Sequence, residues 1–180
     1  ATMSTTYFEP FDVARTIATV DLMTEGRAAW NVVTSINDNE ARNMGREKHM
    51  AHDERYDQAD EFVEIVLGHW GSWDDDAVLV DKENMVFADP TKVRRIDYEG
   101  QYYRSRGPFT VPRSPQGHPV VIQAGMSPRG QAFGARWGEL IFAAYGTVEN
   151  GKIEYQEMKD AAASHGRDPE QMRITTLMYP

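Results

Sequence analysis

Apolar residues recur along the chain with two alternating periods, one typical of amphipathic helices and the other of buried strands. The helical period predicts helices over Phe11–Met23, Asp53–Trp70, a segment starting at Pro128, and Lys152–His165. Short apolar runs predict strands over Ala28–Thr34, Val120–Ile122, Glu139–Ala144 and Met172–Met178. Strands that alternate with helices and are apolar on both faces indicate an α/β fold with a parallel sheet.

Two regions interrupt this alternation. The polar stretch Ser35–Ala51 is predicted to be a long loop with a possible short helical piece. Residues 71–118 are rich in charge and turn formers, and we interpret them as an insertion that contains a small hairpin at Tyr98–Tyr103. The three aspartates Asp74–Asp76 are better explained as a solvated acidic turn than as a metal site, because a calcium loop needs a longer pattern.

The segment Val120–Gly134 has the pattern of a strand, a tight turn and a helix. Ser127 stands where a helix N-cap belongs, and Pro128 stands at the first helical position. Free backbone N–H groups at such a helix start bind anions, so the turn is either a phosphate cradle or an ordinary capped turn. His52 and Tyr56 are four residues apart, so they lie on one helical face as anion ligands or as a cap and the start of an apolar stripe.

Composition removes several classes of function. The 180 residues carry 28 acidic and 19 basic side chains, a formal net charge of −9, which argues against sequence-independent nucleic-acid binding. No apolar run reaches the length of a membrane span, and there are no cysteines for thiol catalysis or thiolate metal sites. We therefore expect no nucleic-acid or membrane partner and a cytoplasmic location. The sequence also lacks the motifs of P-loop nucleotide-binding proteins, dinucleotide-binding proteins, α/β-hydrolases and zincins.

Four segments in register resemble one family. They are Gly26–Ser35 (GRAAWNVVTS), His52–Tyr56 (HDERY), Ala88–Pro90 (ADP) and Gln123–Gly130 (QAGMSPRG). Together they closely resemble the bacterial luciferase-like flavin monooxygenases. Within that family they are most similar to the branch that holds nitrilotriacetate, EDTA, dibenzothiophene sulfone and long-chain alkane monooxygenases.

The resemblance implies a fold, a reaction and a site. The fold is a partial TIM (β/α)8 barrel with an insertion. The reaction is that of a two-component monooxygenase, in which an NAD(P)H:FMN reductase supplies FMNH2. A flavin C4a-(hydro)peroxide then inserts one atom of O2 into a small organic substrate. The motifs carry FMN-binding roles onto Thr2, Asn31, His52, Tyr56, Met126 and Ser127, with His52 also the candidate catalytic residue. In such a barrel, Thr2 and Asn31 are expected at the C-terminal ends of their strands, where the site is built.

Two alternatives stay open, a non-catalytic flavin-binding relative and a deazaflavin-dependent oxidoreductase. Compared with the family pattern, the chain is expected to be a single domain from the central part of a longer barrel. These residues alone are therefore not expected to form an active monomer, because a partial barrel leaves open sheet edges. The longer protein is expected to be a homo-oligomer. The four arginines Arg42, Arg46, Arg104 and Arg106 are candidates for holding an anionic substrate.

Overall fold

The computed structural model describes residues 1–176, in which strands and helices alternate. In chain order they are β1 (Thr2–Ser4), α1 (Pro10–Met23), β2 (Ala29–Val33), α2 (Asp38–Asn43), α3 (His52–Trp70), β3 (Val78–Asp81), β4 (Val86–Ala88), β5 (Tyr98–Glu99), β6 (Arg104–Ser105), β7 (Val120–Gln123), α4 (Pro128–Trp137), β8 (Leu140–Ala143), α5 (Val148–Ser164) and β9 (Arg173–Thr176). Two short 3-10 turns occur at Pro90–Lys92 and Pro169–Gln171.

Five of these strands form one sheet in the order β1-β2-β7-β8-β9. The β1–β2, β7–β8 and β8–β9 pairs are parallel. Each strand therefore lies beside its predecessor among the sheet strands, with a helix in the connection, as in a βα barrel. This arrangement confirms the predicted α/β fold with a parallel sheet. No helix within the described range is both long and apolar enough to cross a membrane.

The chain divides into two compact units. The first contains Ala1 and residues 7–29 and 58–119, so the predicted insertion belongs to it with α1 and most of α3. Its core is formed by buried side chains of α1, α3 and the insertion, including Ile17, Phe62, Val66 and Phe109. The second contains residues 2–6, 30–57 and 120 onward, and Trp30, Val121, Phe133 and Ile141 are buried in it.

Several elements differ from the sequence prediction, most by one residue at an end. Helix α5 begins at Val148 and not at Lys152, because Thr147 caps it by accepting a hydrogen bond from the Asn150 N–H. The poor helix formers Asn150 and Gly151 in the first turn hid this start. The Tyr98 hairpin pairs β5 with β6, so Tyr102 and Tyr103 belong to its turn. The hairpin β3–β4 was not predicted, and positions 177 and 178 of the last predicted strand lie outside the described residues.

The turn between β5 and β6 is held by one carboxylate of α3. Glu61 accepts hydrogen bonds from the backbone N–H groups of Gln101 at 2.7 Å, Tyr102 at 2.9 Å and Tyr103 at 3.2 Å. A Cβ on Gly100 would lie 2.2 Å from a Glu61 carboxylate oxygen, so only glycine leaves room for this contact. The hairpin is therefore fastened to α3 by backbone groups as well as by side-chain packing.

Replacing Glu61 is expected to loosen this hairpin selectively. Glu61→Ala removes a charged acceptor from three N–H groups, and we expect a local loss of about 2 kcal/mol. Hydrogen exchange at the amides of residues 101–103 measures this loss and should be faster than in wild type. The control Glu157→Ala, on the exposed face of α5, should leave the exchange rates of those amides unchanged. Unchanged protection in Glu61→Ala would show that side-chain packing alone holds the turn.

A buried histidine is expected to make the first unit sensitive to acid. His69 is 1% exposed, packs edge-on against Phe11, and its Nε2 lies 2.7 Å from Ser105 Oγ. Burial lowers the pKa of His69 below its ordinary value of 6.5. The unfolded chain then binds this proton at a higher pH than the folded chain, so the stability due to neutral His69 is complete above pH 6.5 and is lost as pH falls toward the folded pKa.

We expect the free energy of unfolding to fall as pH drops below 6.5, and His69→Gln to reduce that slope. Urea unfolding of the full-length protein at a series of pH values measures it. His165→Gln, at an exposed histidine, provides the matched control and should keep the wild-type slope. Identical slopes in His69→Gln and wild type would contradict the assignment.

Candidate functional site

The turn between β7 and α4 has the geometry that its sequence predicts. Ser127 adopts an extended backbone conformation, and its Oγ accepts a hydrogen bond from the Gly130 N–H at 3.0 Å. Pro128 occupies the first helical position, where its missing N–H costs no hydrogen bond. The start of a ten-residue helix and a serine hydroxyl thus stand together at the end of a buried strand.

His52 and Tyr56 lie beside this turn. Helix α3 begins at His52, whose Nε2 lies 3.2 Å from Ser127 Oγ and whose Nδ1 lies 2.6 Å from Asp53 Oδ1. His52 and Ser127 thus share a hydrogen bond, whose donor depends on the tautomer of the imidazole. The rings of His52 and Tyr56 are 5.2 Å apart. The structure therefore brings these three predicted residues into one cluster.

Two glycines make room for the Tyr56 hydroxyl. A Cβ on either Gly125 or Gly130 would lie 2.7 Å from the Tyr56 hydroxyl oxygen, closer than side-chain packing allows. The same two glycines approach each other, because a Cβ on Gly130 would lie 3.0 Å from the Gly125 Cα. Tyr56 is 6% exposed, and its ring also contacts Phe133 edge-on. We call the space beside Gly125 and Gly130 that holds the Tyr56 hydroxyl the glycine niche.

Thr2 and Asn31 form a second pair. They are register partners in the β1–β2 ladder, and Asn31 Nδ2 donates to Thr2 Oγ1 at 3.2 Å. Their predicted position at strand ends is wrong, because Thr2 begins β1 and Asn31 lies in the middle of β2. The residues that follow the end of β2 are Thr34 and Ser35, which the sequence analysis did not select.

A cavity of about 360 Å³ joins the two groups. Its lining comes from the ends of β2 and β7, the start of α2 and the first turns of α3, and consists of Thr2, Val32, Val33, Thr34, Ser35, Ile36, Glu40, Tyr56, Gln123, Ala124 and Gly125. Thr2 and Tyr56 are the predicted site residues in this wall. Gln123 is 3% exposed, and its Oε1 has no hydrogen-bond partner.

Met126, the remaining predicted site residue, directly precedes Ser127 in the turn. The Met126 side chain is 41% exposed. A cavity of about 590 Å³ lies near the ends of β8 and β9 and is lined by Tyr145, Gly146, Thr147, Val148, Gly151, Lys152, Tyr155 and Thr176, none of which the sequence analysis selected. Residues 1–176 contain no cluster of three or more acidic or histidine side chains able to hold a metal ion.

The cluster around Ser127 includes residues that sequence reasoning missed. Gly125 and Gly130 flank Ser127 in the same motif, and only the long-range contact with Tyr56 reveals their purpose. Arg129 places its guanidinium 5.4 Å from the centre of the Tyr56 ring and pairs with Asp57 at 3.0 Å. No local sequence pattern reveals either contact, because the partners are more than 70 residues apart. The cluster contains hydroxyl groups and the start of a helix, which can bind a phosphate group.

Comparison with known proteins identifies the family. The family model for luciferase-like monooxygenases matches residues 1–180. The chain belongs to this family. It is 51% identical over its whole length to the dibenzothiophene-sulfone monooxygenase of Rhodococcus erythropolis, and 43% identical over 96% of its length to nitrilotriacetate monooxygenase component A of Aminobacter aminovorans.

The family's solved structures support the fold assignment. The chain superimposes with a TM-score of 0.92 on the crystal structure of a riboflavin lyase that holds modified FMN and riboflavin, at 39% identity over 98% of this chain and 40% of that one. The chain covers 40% of the dibenzothiophene-sulfone monooxygenase and 38% of the nitrilotriacetate monooxygenase component. The chain thus spans about two fifths of the length of the curated relatives it matches. The predicted luciferase-like, partial-barrel fold is confirmed.

Proposed function

We propose that this chain is the FMN-binding part of a monooxygenase component that uses FMNH2 supplied by an NAD(P)H:FMN reductase. The observation that carries the proposal is the convergence of Ser127, His52 and Tyr56 at the start of α4 in a luciferase-like chain. We propose that Ser127 and Tyr56 bind the phosphate of FMN and that His52 lies beside them at the phosphate. The name of the nitrilotriacetate relative, component A, favours a system of more than one component.

The chemistry of the cluster fits a flavin phosphate. A phosphate dianion accepts hydrogen bonds, and the cluster offers the Ser127 hydroxyl, the Tyr56 phenol and the start of a helix whose dipole favours negative charge. The glycine niche fits as well, because side chains at Gly125 or Gly130 would fill the space that brings Tyr56 against the turn. The local structure is thus preorganised for a compact anion.

The 360 Å³ cavity beside the cluster suits the rest of the cofactor. Its lining contains both apolar residues, such as Val32 and Ile36, and residues with hydroxyl groups, such as Thr2 and Ser35. Apolar walls exclude water from a bound ring system, while the hydroxyls offer hydrogen bonds. We propose that the flavin extends from Ser127 into this cavity toward Thr2 and Asn31, with Met126 bordering it.

When bound, reduced FMN supplies the electrons that activate O2 for transfer of one oxygen atom to an organic substrate. The chain's own contribution is to bind, orient and shield it. His52 is held from both sides, by Asp53 at Nδ1 and Ser127 at Nε2, so its geometry favours a binding role over proton transfer to substrate. The alternative, a catalytic role of His52, is tested by the His52→Gln variant below.

The proposal is tested with the full-length protein, reduced FMN and isotopically labelled oxygen gas. We expect one labelled oxygen atom to enter an organic substrate drawn from sulfones, thioethers, alkanes or aminopolycarboxylates. FMN binding without turnover of any of them would favour a non-catalytic flavin-binding relative. Hydride transfer to a deazaflavin without oxygen consumption would favour a deazaflavin-dependent oxidoreductase. A His52→Gln variant that binds FMN normally but has lost turnover would restore the catalytic role of His52.

A further inference from the structure

The β3–β4 hairpin of the insertion is both apolar and exposed. We call its residues 78–87 the arm. The exposed fraction of its large apolar residues runs from 38% at Val78 to 89% at Met85, and the residues concerned are Val78, Leu79, Val80, Met85, Val86 and Phe87. Together they expose on the order of 600 Å², the upper end of the largest apolar patch on an ordinary monomer.

An irregularity in the ladder explains why neighbouring residues of β3 are all exposed. A regular strand that packs on a core buries every second side chain. In β3 the register shifts between Val78 and Asp81, and Val80 has a φ of 49°, which a branched residue rarely adopts. A two-stranded hairpin without a packed face is only marginally stable in water. The arm therefore needs a further surface to pack against.

The base of the arm is held by its own chain. The segment Asp74–Asp76, just before β3, pairs each carboxylate with one basic side chain, and the partners are, in order, Arg94, Arg113 and Lys92. Ala77 is fully buried, and its carbonyl accepts the Asp89 N–H at 2.9 Å. The position of the arm is thus fixed at its base, while its apolar side chains stay uncovered.

The turn of the arm carries one charge of each sign. Lys82 and Glu83 are adjacent and exposed, and neither forms an ion pair within residues 1–176. Asp81, in contrast, accepts the N–H groups of Glu83 and Asn84 at 3.0 Å and so holds the turn itself. A twofold axis uses the same patch on both copies, so Lys82 of each copy can face Glu83 of the other. The arm is therefore complementary to itself in charge as well as in polarity.

We propose that the arm is the surface through which two copies of the full-length protein pair about a twofold axis. A standard interface takes about 800 Å² from each partner, and the apolar surface of the arm together with its exposed turn approaches that area. Pairing covers the apolar side chains and gives each hairpin the second layer that it lacks. The proposal does not depend on flavin binding.

Sedimentation equilibrium of the full-length protein tests the apolar part of the interface. Phe87→Glu and Met85→Glu should each raise the Kd for self-association about a hundredfold or more, because each places a charge among apolar side chains. Met23→Glu is the matched control, since Met23 is an equally exposed methionine on α1, and it should keep the wild-type Kd. Circular dichroism should show that all three variants are folded, because the substituted side chains are exposed.

A charge exchange tests the twofold pairing itself. Lys82→Glu and Glu83→Lys should each weaken self-association, because like charges then face each other across the axis. An equimolar mixture of the two variants should associate as tightly as wild type, since every contact in the mixed pair joins opposite charges. This test also decides the matter if Phe87→Glu does not fold.

Three results would overturn the proposal. A full-length protein that is monomeric at all concentrations, with the amides of residues 78–87 protected from hydrogen exchange, would show that another part of the same chain covers the arm. Unchanged self-association in both Phe87→Glu and Met85→Glu would show that the copies pair through another surface. A mixture of Lys82→Glu and Glu83→Lys that associates no better than either variant alone would exclude the twofold pairing of the two turns.

Discussion

Ser127→Ala is expected to weaken FMN binding by about 1.5–3 kcal/mol, roughly ten- to a hundredfold in Kd, through loss of a charge-assisted hydrogen bond. The same substitution removes the cap that Ser127 forms with the Gly130 N–H, which costs about 1 kcal/mol of stability. Fluorescence titration with FMN and urea unfolding measure the two effects separately in the full-length protein.

Ser127→Asp separates the cap from the phosphate contact. Aspartate caps helices as well as serine does, so the free energy of unfolding should stay near the wild-type value. Its negative charge would face the phosphate, so FMN binding should be weaker than in Ser127→Ala while riboflavin binding is little affected. If Ser127→Asp bound FMN as tightly as wild type, the phosphate would not lie at Ser127.

Gly130→Ala is expected to disrupt the cluster, because its added methyl group would meet atoms of both Tyr56 and Gly125. The new methyl group would lie 2.7 Å from the Tyr56 hydroxyl and 3.0 Å from the Gly125 Cα, and the second of these atoms is backbone that cannot move aside alone. Alanine favours a helix over glycine by about 1 kcal/mol, but overpacking of this kind costs about 1–3 kcal/mol. We expect a net loss of stability together with at least tenfold weaker FMN binding, because Tyr56 must leave the niche.

A double-mutant cycle identifies the cause. Removing the hydroxyl in Tyr56→Phe eliminates the first of the two close contacts, so Gly130→Ala should cost less stability in that background than in wild type. Gly146→Ala is the control, since its added methyl group would meet no atom within 4 Å. If the effects of Tyr56→Phe and Gly130→Ala on the free energy of unfolding were strictly additive, the two residues would not be coupled. Contact with the Tyr56 hydroxyl would then not be the reason for glycine at position 130.

Local patterns were sufficient for much of the fold and for part of the site. The β-branched run at β7 and the order serine, proline at the start of α4 are properties of adjacent residues, so the strand, the cap and the helix were all predictable. The spacing of His52 and Tyr56 likewise placed them on the first turns of one helix. Their roles as flavin ligands came from the resemblance to a family and stay a prediction.

The remaining features depend on contacts between distant parts of the chain. Gly125 and Gly130 look like ordinary turn and helix glycines until Tyr56, about 70 residues away, is seen to fill the space between them. The placement of Thr2 and Asn31 at strand ends was wrong because pairing with neighbouring strands sets where a strand begins and ends. Thr2 begins β1, and its register partner Asn31 lies in the middle of β2. The pairing of β3 with β4 was missed because both strands are short and largely exposed, so their pattern lacks a buried face.

A crystal structure of the full-length protein with FMN tests the central claim most directly. The account predicts that phosphate oxygens lie within hydrogen-bonding distance of Ser127 Oγ and the Tyr56 hydroxyl, with the flavin ring in the cavity that Thr2 lines. A flavin whose phosphate lies elsewhere, for example in the cavity beside Lys152, would contradict it.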